Sequence, residues 1–199
     1  MIKKCIFATG NKNKVVEARE ILGDLGLNII SQKEAGIEAD PEETGTTFTE
    51  NALIKARAVA ALCDAVVLAD DSGLEVDFLG GEPGIYSSRY MGEDTPYEVK
   101  NAEIIKRLSG VTGEKRSARF VCAVAAVLPD GREFTVQETV EGVIADAPAG
   151  CGGFGYDPIF MVPEFGKTTA EMSPEEKNKI SHRGKAMRAM CRKLKGEFV

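Results

Sequence analysis

The stretch KKCIFATGNKNKVVEAREILGDLGLNIIS, residues 3–31, predicts how the fold begins. A central apolar run indicates a strand over Lys3–Thr9, and apolar residues at helical spacing indicate a helix over Lys14–Leu22. A second strand is predicted over Leu27–Ser31. A strand, a helix and a strand in this order are typical of an α/β fold.

Three capping boxes predict where later helices begin. In each, a Ser or Thr hydroxyl can accept a hydrogen bond from the backbone N–H three residues on, while an acid reaches back to the cap. The first helix is expected to end near Leu62 and the second near Leu108. The boxes are Thr47 with Glu50, Thr95 with Pro96 and Glu98, and Ser173 with Pro174 and Glu176.

Strand signals complete the predicted sheet. Val66–Ala69 is predicted to be a short buried strand. Ser117–Leu128 and Glu133–Ile144 flank Pro129-Asp130-Gly131, a turn sequence that indicates a long hairpin. We therefore expect an α/β fold with a mixed central sheet, formed by a single domain over residues 1–199.

Composition and charge exclude several classes of protein. The chain has 199 residues, 43% of them hydrophobic, which is ample for a packed core. Its net charge of −6 argues against a non-specific nucleic-acid binder. No run approaches the roughly 20 apolar residues of a membrane span, and the N-terminal apolar run is too brief for a signal peptide. The five cysteines show no zinc-binding spacing. We expect a cytoplasmic protein without nucleic-acid or membrane partners.

The loop Thr9-Gly10-Asn11-Lys12-Asn13-Lys14 lies between the first predicted strand and helix. Backbone N–H groups and the helix dipole attract an anion at such a position, and Lys12 and Lys14 add positive charge. Gly10 would permit a tight turn. The loop matches neither the Walker A pattern nor GxGxxG, so by itself it is more often only a turn.

Two adjacent acids, Asp70 and Asp71, follow the predicted strand that ends at Ala69. Carboxylates at the carboxyl end of a strand face the usual ligand crevice, and one or two of them suit magnesium beside water and phosphate. One of the pair could instead act as a base for an attacking water, or the pair could form only an Asx-turn. Glu42 and Glu43 belong to a polar loop that is of interest only as a partner in the same metal site.

A glycine-rich stretch, Gly150-Cys151-Gly152-Gly153-Phe154-Gly155-Tyr156-Asp157-Pro158, has the features of a base-binding loop. Its glycines let the backbone approach a ligand closely. Phe154 and Tyr156 could stack on a base, and Asp157 could accept hydrogen bonds from a base edge. Cys151 is interpreted as an incidental thiol.

The last cluster is positively charged. Lys177 and Arg183 bring cations near the final helices, and a new helix starting after Ser181 would also attract anions at its N-terminus. His182 alone is more often a structural hydrogen-bonding group than a ligand.

Together and in this order, these motifs resemble the inosine triphosphate pyrophosphatase family. The resemblance covers essentially the whole chain, and its specificity comes from the ordered set. The matching residues are Thr9-Gly10-Asn11, Lys14, Glu42-Glu43-Thr44-Gly45, Phe48, Glu50-Asn51-Ala52, Lys55, Asp70-Asp71-Ser72-Gly73-Leu74, Gly80-Gly81, Pro83-Gly84-Ile85-Tyr86-Ser87, Ala118-Arg119-Phe120, Gly153-Phe154-Gly155-Tyr156-Asp157-Pro158, Lys177 and Ser181-His182-Arg183.

The resemblance implies an enzyme that hydrolyses ITP, dITP and XTP to the monophosphate and pyrophosphate with Mg2+, clearing deaminated purines. It implies an elongated structure of two lobes with the active site in the cleft between them, and a homodimer. Asp71 would be the base and a metal ligand, although the division of work between Asp70 and Asp71, and between Glu42 and Glu43 at the metal, stays open. The implied substrate-binding residues are Thr9, Gly10, Asn11, Lys12, Asn13, Lys14, Ser72, Phe154, Gly155, Tyr156, Asp157, Lys177, His182 and Arg183.

Base selection would depend on a hydrogen-bond donor. Hypoxanthine and xanthine carry an O6 acceptor where adenine carries an amino group, so a donor from Arg183 or His182 would favour them. Two other functions stay open: a pyrophosphatase for modified pyrimidine triphosphates, and a nucleotide-sensing or RNA-binding module. The acidic charge and the Asp70-Asp71 pair argue against the second.

Overall fold

The computed structural model describes residues 3–23 and 27–195, and it has a mixed α/β fold. Within these described ranges, seven strands form one sheet. They are β1 (Lys3–Phe7), β2 (Leu27–Ser31), β3 (Val66–Val76), β4 (Ser117–Val127), β5 (Glu133–Ile144), β6 (Phe160–Val162) and β7 (Lys167–Thr168). The helices of these ranges are α1 (Lys12–Gly23), α2 (Phe48–Ala60), α3 (Tyr97–Arg107), α4 (Pro174–Ile180) and α5 (His182–Leu194). None of them is long and apolar enough to cross a membrane.

The sheet has the order β2-β1-β3-β4-β5-β6-β7. β1 pairs in parallel with β2 and β3, whereas β6 pairs antiparallel with β5 and β7. The predicted mixed sheet is therefore confirmed. The predicted hairpin is also confirmed, because β4 and β5 are neighbours and the turn between them has Gly131 at a φ of 86°.

The first helix starts two residues earlier than predicted, at Lys12. Asn11 caps it, since the Asn11 Oδ1 accepts from the N–H of Asn13 at 2.9 Å and of Lys14 at 3.3 Å. An asparagine side chain satisfies N–H groups that a helix start leaves without partners. β1 accordingly ends at Phe7 rather than at Thr9.

Two of the three predicted capping boxes are confirmed, those of Thr47 and Ser173. The Thr95 box is wrong. Pro96 is the N-cap of α3 and makes no side-chain cap, and the Thr95 hydroxyl donates instead to the carbonyl of Met91 at 2.8 Å. With Pro96 as the cap, Glu98 falls one position too early to close a box.

The predicted end of the third strand at Ala69 is also wrong, since β3 continues to Val76. Leu74 and Val76 are buried while Glu75 is half-buried, which is the alternation of a strand. Asp70 and Asp71 therefore lie within the strand. The prediction stopped at the first charged residue because buried acids break the apolar run.

The chain divides into two compact units. The first unit comprises the described residues of Met1–Asp71, Cys122–Glu138 and His182–Val199, and the second comprises Ser72–Val121 and Thr139–Ser181. Each has its own hydrophobic core. In the first, buried residues of α1 such as Leu22 share a cluster with Met187 and Met190 of α5. In the second, Ile104 and Leu108 share one with Phe160.

Candidate active site

The end of β1 places a loop beside two buried acids in the first unit. β1 pairs with β3 as far as Phe7 and Leu68, and the Ala8 N–H donates to the Leu68 carbonyl at 2.7 Å. The loop that starts at Thr9 therefore leaves the sheet next to the segment of β3 that carries Asp70 and Asp71.

Asp70 is surrounded by cations. Its Oδ2 lies 3.1 Å from the Nζ of Lys14 and 3.1 Å from the Nε of Arg183, and the residue is 1% exposed. Burial disfavours the Asp70 carboxylate, but the charges of Lys14, Arg183 and Lys55 outweigh it and hold its pKa well below the usual range. Arg183 also forms an ion pair with Glu17. The carboxylate form of Asp70 is thus favoured inside a charged network.

Asp71 has a different environment. The Nζ of Lys55 lies 2.9 Å from its Oδ1, and the Nδ2 of Asn51 donates to its Oδ2 at 3.4 Å. Burial raises the pKa of Asp71, and the ammonium of Lys55 limits that rise without reversing it. Of the two acids, Asp71 is the one whose environment favours accepting a proton.

Lys55 joins the acidic loop to Asp71. Its Nζ lies 2.9 Å from the Glu43 Oε1 as well as from Asp71, whereas Glu42 of the same loop is exposed. Burial lowers the pKa of Lys55, but Asp71, Asp70 and Glu43 together raise it above the usual value, so the lysine is charged.

The donor set around Lys55 fits a hard divalent cation. Asp71 and Glu43 offer carboxylate oxygens to one point, and magnesium takes one or two carboxylates beside water and phosphate. Within residues 3–23 and 27–195, no group of three or more His, Cys, Asp or Glu could hold a metal. The residues fit a metal that the substrate helps to bind, and not a site enclosed by protein ligands.

Asn51 holds the acidic loop in place. Its Oδ1 accepts from the Gly45 N–H at 2.8 Å while its Nδ2 faces Asp71, and the residue is fully buried. Gly45 has no room for a side chain, because a Cβ there would lie 2.6 Å from the Asn51 Oδ1. The loop, α2 and β3 are therefore joined through one amide.

The loop after β1 is accessible. The Thr9 Oγ1 accepts from the Asn11 N–H at 3.1 Å, and residues 10–13, which include Lys12 and Asn13, are exposed. Gly10 does not have a positive φ, and a Cβ there would meet no atom within 4 Å. The backbone at Gly10 therefore does not itself require glycine, and the loop leaves open space beside this residue.

The glycine-rich loop of the second unit packs against its own chain. A Cβ at Gly150 would lie 2.4 Å from the Ala170 carbonyl carbon, and one at Gly153 would lie 2.1 Å from the Asp157 Oδ2. Gly150, Gly153 and Gly155 all have a left-handed φ. Close packing within the protein requires glycine at 150 and 153, whereas at Gly155 the left-handed φ alone favours it.

Asp157 is buried and holds this loop through hydrogen bonds and an ion pair. Its Oδ2 accepts from the Phe154 N–H at 2.7 Å and lies 2.7 Å from the Lys177 Nζ, and its Oδ1 accepts from the Thr169 hydroxyl at 2.7 Å. The prediction that Asp157 accepts from a base edge stays a prediction. Its described hydrogen bonds all hold the loop.

The two aromatic residues of the loop differ. Tyr156 is 4% exposed, and its hydroxyl donates to the Ser87 carbonyl at 2.8 Å within the core of the second unit. Phe154 is only half-buried, with the Lys177 ammonium 5.1 Å from its ring centroid. Phe154 is therefore the ring with exposed surface for a base.

The remaining predicted residues lie at element boundaries. The predicted helix break is confirmed, since α4 ends at Ile180 and α5 begins at His182, which is buried. Arg183 follows it and binds Asp70 and Glu17, as described above. Ser72 is half-buried within β3. That His182 and Arg183 read a base stays a prediction.

Comparison with known proteins identifies the family. The sequence model of the Ham1 family matches residues 5–193. This chain belongs to the Ham1 family. A protein from Treponema denticola named dITP/XTP pyrophosphatase is 53% identical over 194 residues, covering 97% of this chain and 99% of that protein. One of the same name from Escherichia coli O157:H7 is 46% identical over 196 residues, covering 98% and 99%.

Solved structures of Ham1 proteins share the fold. The Ham1 protein of Staphylococcus aureus is 42% identical with a TM-score of 0.86, covering 98% of this chain and all of that one. The Coxiella burnetii HAM1 protein is 40% identical with a TM-score of 0.87, covering 98% of this chain and 100% of that one. The predicted family resemblance and the mixed α/β fold are thereby confirmed.

Three residues of the candidate site had no role predicted from the sequence. Asn51 and Lys55 are four apart on α2 and so share a helix face, a spacing that could have linked them to one site. Glu17 lies three residues after Lys14 on α1 in the same way. No local pattern indicates that Asn51 reaches Asp71, which is 20 residues further along the chain.

Proposed function

We propose that this chain hydrolyses non-canonical purine nucleoside triphosphates (ITP, dITP and XTP) to the monophosphate and pyrophosphate. The observation that carries the proposal is the cluster of the first unit, in which Asp70, Asp71 and Glu43 face the cations of Lys14 and Lys55. Carboxylates for a divalent cation and ammonium groups for phosphate are the parts that triphosphate hydrolysis requires. The names of the relatives point to the same reaction.

The phosphate tail is assigned to the loop after β1. Exposed backbone at residues 10–13 leads into the N-terminus of α1, where N–H groups and the helix dipole favour an anion. Lys14 is in reach of the same region, since its ammonium already pairs with Asp70. Thr9 and Asn11 hold the loop shape through their own side-chain hydrogen bonds.

The metal is assigned to Asp71 with Glu43, and Mg2+ is the proposed ion. When bound, it would neutralise charge that develops on the phosphates. Glu42 has no described contact with Lys55 and is exposed, so Glu43 is the better of the two candidates.

Asp71 is the proposed base for the attacking water. A base must bind a proton, and burial raises the pKa of Asp71, whereas Lys14 and Arg183 lower that of Asp70. Asp70 is better suited to hold the two cations in place.

Purine selection is assigned to the second unit and the start of α5. Phe154 offers ring surface, and Lys177 beside it is a donor that would favour an O6 acceptor. His182 and Arg183 are further donor candidates. Adenine would leave such a donor without a partner, at a cost of about 1–3 kcal/mol for a buried group.

We propose that residues 1–199 act as a single catalytic domain, because the Ham1 family model matches residues 5–193 without a break. A homodimer is proposed because large apolar side chains of the second unit are about half exposed, among them Phe78, Tyr86, Met91 and Val99. A cytoplasmic location is proposed because Cys63, Cys122, Cys151 and Cys191 are thiols and not disulfides, as in reducing compartments.

The test is a pyrophosphate-release panel. The purified chain is incubated with Mg2+ and with dITP, XTP, dATP, dUTP and a methylated pyrimidine triphosphate. We expect pyrophosphate and the monophosphate from dITP and XTP in preference to the others. Release of single phosphates would exclude the reaction class, and a preference for the pyrimidines would exclude the substrate class. Tight ITP binding without product would indicate a nucleotide sensor.

A further inference from the structure

Asn101 of α3 contacts the loop that carries Phe154. Its Nδ2 donates to the Gly155 carbonyl at 3.1 Å, and the residue is 4% exposed. Both residues belong to the second unit. Formation of α3 does not require an asparagine at this buried position. The contact with Gly155 therefore points to a role in the loop.

Phe154 lies between two residues with little conformational preference of their own. Gly153 and Gly155 have φ values of 69° and 68°, which glycine enters and leaves at low cost. Two contacts restrain the peptide units around the ring. Asp157 binds the Phe154 N–H at 2.7 Å, and Asn101 binds the carbonyl of the next residue at 3.1 Å.

The buried amide of Asn101 is costly to keep. Its Oδ1 has no hydrogen-bond partner among the residues that the structure describes, and an unsatisfied buried acceptor costs about 1–3 kcal/mol. Turning the amide round would set Oδ1 against the Gly155 carbonyl, acceptor against acceptor, so the donor orientation is the one that forms a bond. A leucine, which has the same number and branching of side-chain heavy atoms, would avoid the unsatisfied oxygen but could not donate to Gly155.

We propose that Asn101 is a positioning residue for base selection. It fixes the peptide unit after Gly155 and thereby the direction of the Phe154 ring, while itself making no contact with substrate. The inference rests on the proposed function, in which Phe154 meets the purine. Loss of Asn101 lets that peptide rotate. The kcat/KM for the correct purine then falls more than the kcat/KM for a purine that fits poorly.

The experiment compares selectivity in folded variants. Asn101→Leu removes both polar atoms, and Asn101→Asp keeps the size but cannot donate to a carbonyl as a carboxylate. Glu98→Gln is the matched control, because Glu98 is exposed on the same helix and has no described side-chain contact. kcat and KM are measured for dITP and dATP with Mg2+, beside circular dichroism and the thermal unfolding midpoint.

We expect the dITP to dATP ratio of kcat/KM to fall by about fivefold to tenfold in both Asn101 variants, the factor that one net hydrogen bond supplies. The change should appear in the KM for dITP more than in kcat, and Glu98→Gln should keep the wild-type ratio. An unchanged ratio in folded variants would overturn the inference, as would failure of both variants to fold, since Asn101 would then serve stability alone. A wild-type enzyme without preference for dITP would instead contradict the proposed function, before any variant is made.

Discussion

The two units each bury a carboxylate against a lysine, but they surround it differently. In the second unit, Asp157 binds Lys177 together with the Phe154 N–H and the Thr169 hydroxyl, so neutral donors of the chain itself saturate the acid. In the first unit, Lys14 and Lys55 meet acids that are paired mainly with other charges.

This difference indicates two roles for the buried charged residues, one structural and one in ligand binding. A carboxylate held by neutral donors of its own unit as well as by a lysine is fixed, and it stabilises a shape. A lysine held only by carboxylates can exchange those partners for phosphate, provided that a metal ion then compensates the acids. We therefore expect substitutions in the first unit to change the rate for every substrate, and those in the second to change the choice among substrates.

The largest effect is expected from Asp71→Asn. Because the amide cannot accept a proton from water, kcat for dITP should fall by about 10²- to 10⁴-fold. Equilibrium dialysis with labelled dITP should still detect binding, since Lys14 and the loop after β1 are intact. The same change in the second unit, Asp157→Asn, should affect the ratio of dITP to dATP more than kcat. Wild-type turnover by Asp71→Asn would remove Asp71 from the chemistry.

A large loss of stability is expected from Asp70→Asn. Removing this fully buried charge leaves Lys14 and Arg183 with less compensation, and breaking a buried ion pair typically costs about 3–5 kcal/mol. The lower end is expected, because Glu17 still binds Arg183. Urea unfolding measures the change, with Asp71→Asn as the comparison. Equal losses for the two variants would contradict the distinct roles assigned to these neighbours.

A smaller and uniform effect is expected from Lys14→Ala. A hydrogen bond to a charged group contributes about 1.5–3 kcal/mol, so kcat/KM should fall by about 10- to 100-fold. The fall should be the same for dITP, XTP and dATP, because the phosphate tail is common to all three. Lys177→Ala, measured beside it, should change the ranking. A changed ranking in Lys14→Ala would break the division between the units.

The sequence predicted most elements correctly because their signals are local. Thr47 and Ser173 carry complete capping boxes within four residues, and both helices begin where those boxes indicate. β5 has the predicted bounds for a similar reason, since a turn sequence precedes it. The β3 prediction failed because burial of Asp70 depends on cations from α1 and α5 and burial of Asp71 on Lys55 of α2, which no local window contains.

Prediction of the candidate site was limited in the same way, because distant partners leave no local signal. The identity of the acids, lysines and aromatic residues was visible in the motifs, but their partners were not. Arg183 was predicted to read a base and is found beside Asp70, 113 residues away in sequence. Asn101 has no motif at all, because its partner is the carbonyl of a glycine.

The last prediction compares a glycine from each region. In Gly153→Ala, the new Cβ would lie 2.1 Å from the Asp157 Oδ2 at a φ of 69°. Left-handed backbone alone costs a side chain about 1–2 kcal/mol, so this variant should lose at least that much unfolding free energy and part of its preference for dITP. Gly10→Ala should fold within about 0.5 kcal/mol of wild type, because its Cβ meets nothing within 4 Å and its φ is not positive. In the wild type the open space beside Gly10 is available to phosphate. The alanine Cβ would occupy that space, so KM should rise alike for dITP and dATP in this variant. An equal loss of stability in the two alanine variants would show that the loop of the first unit is as tightly packed as that of the second.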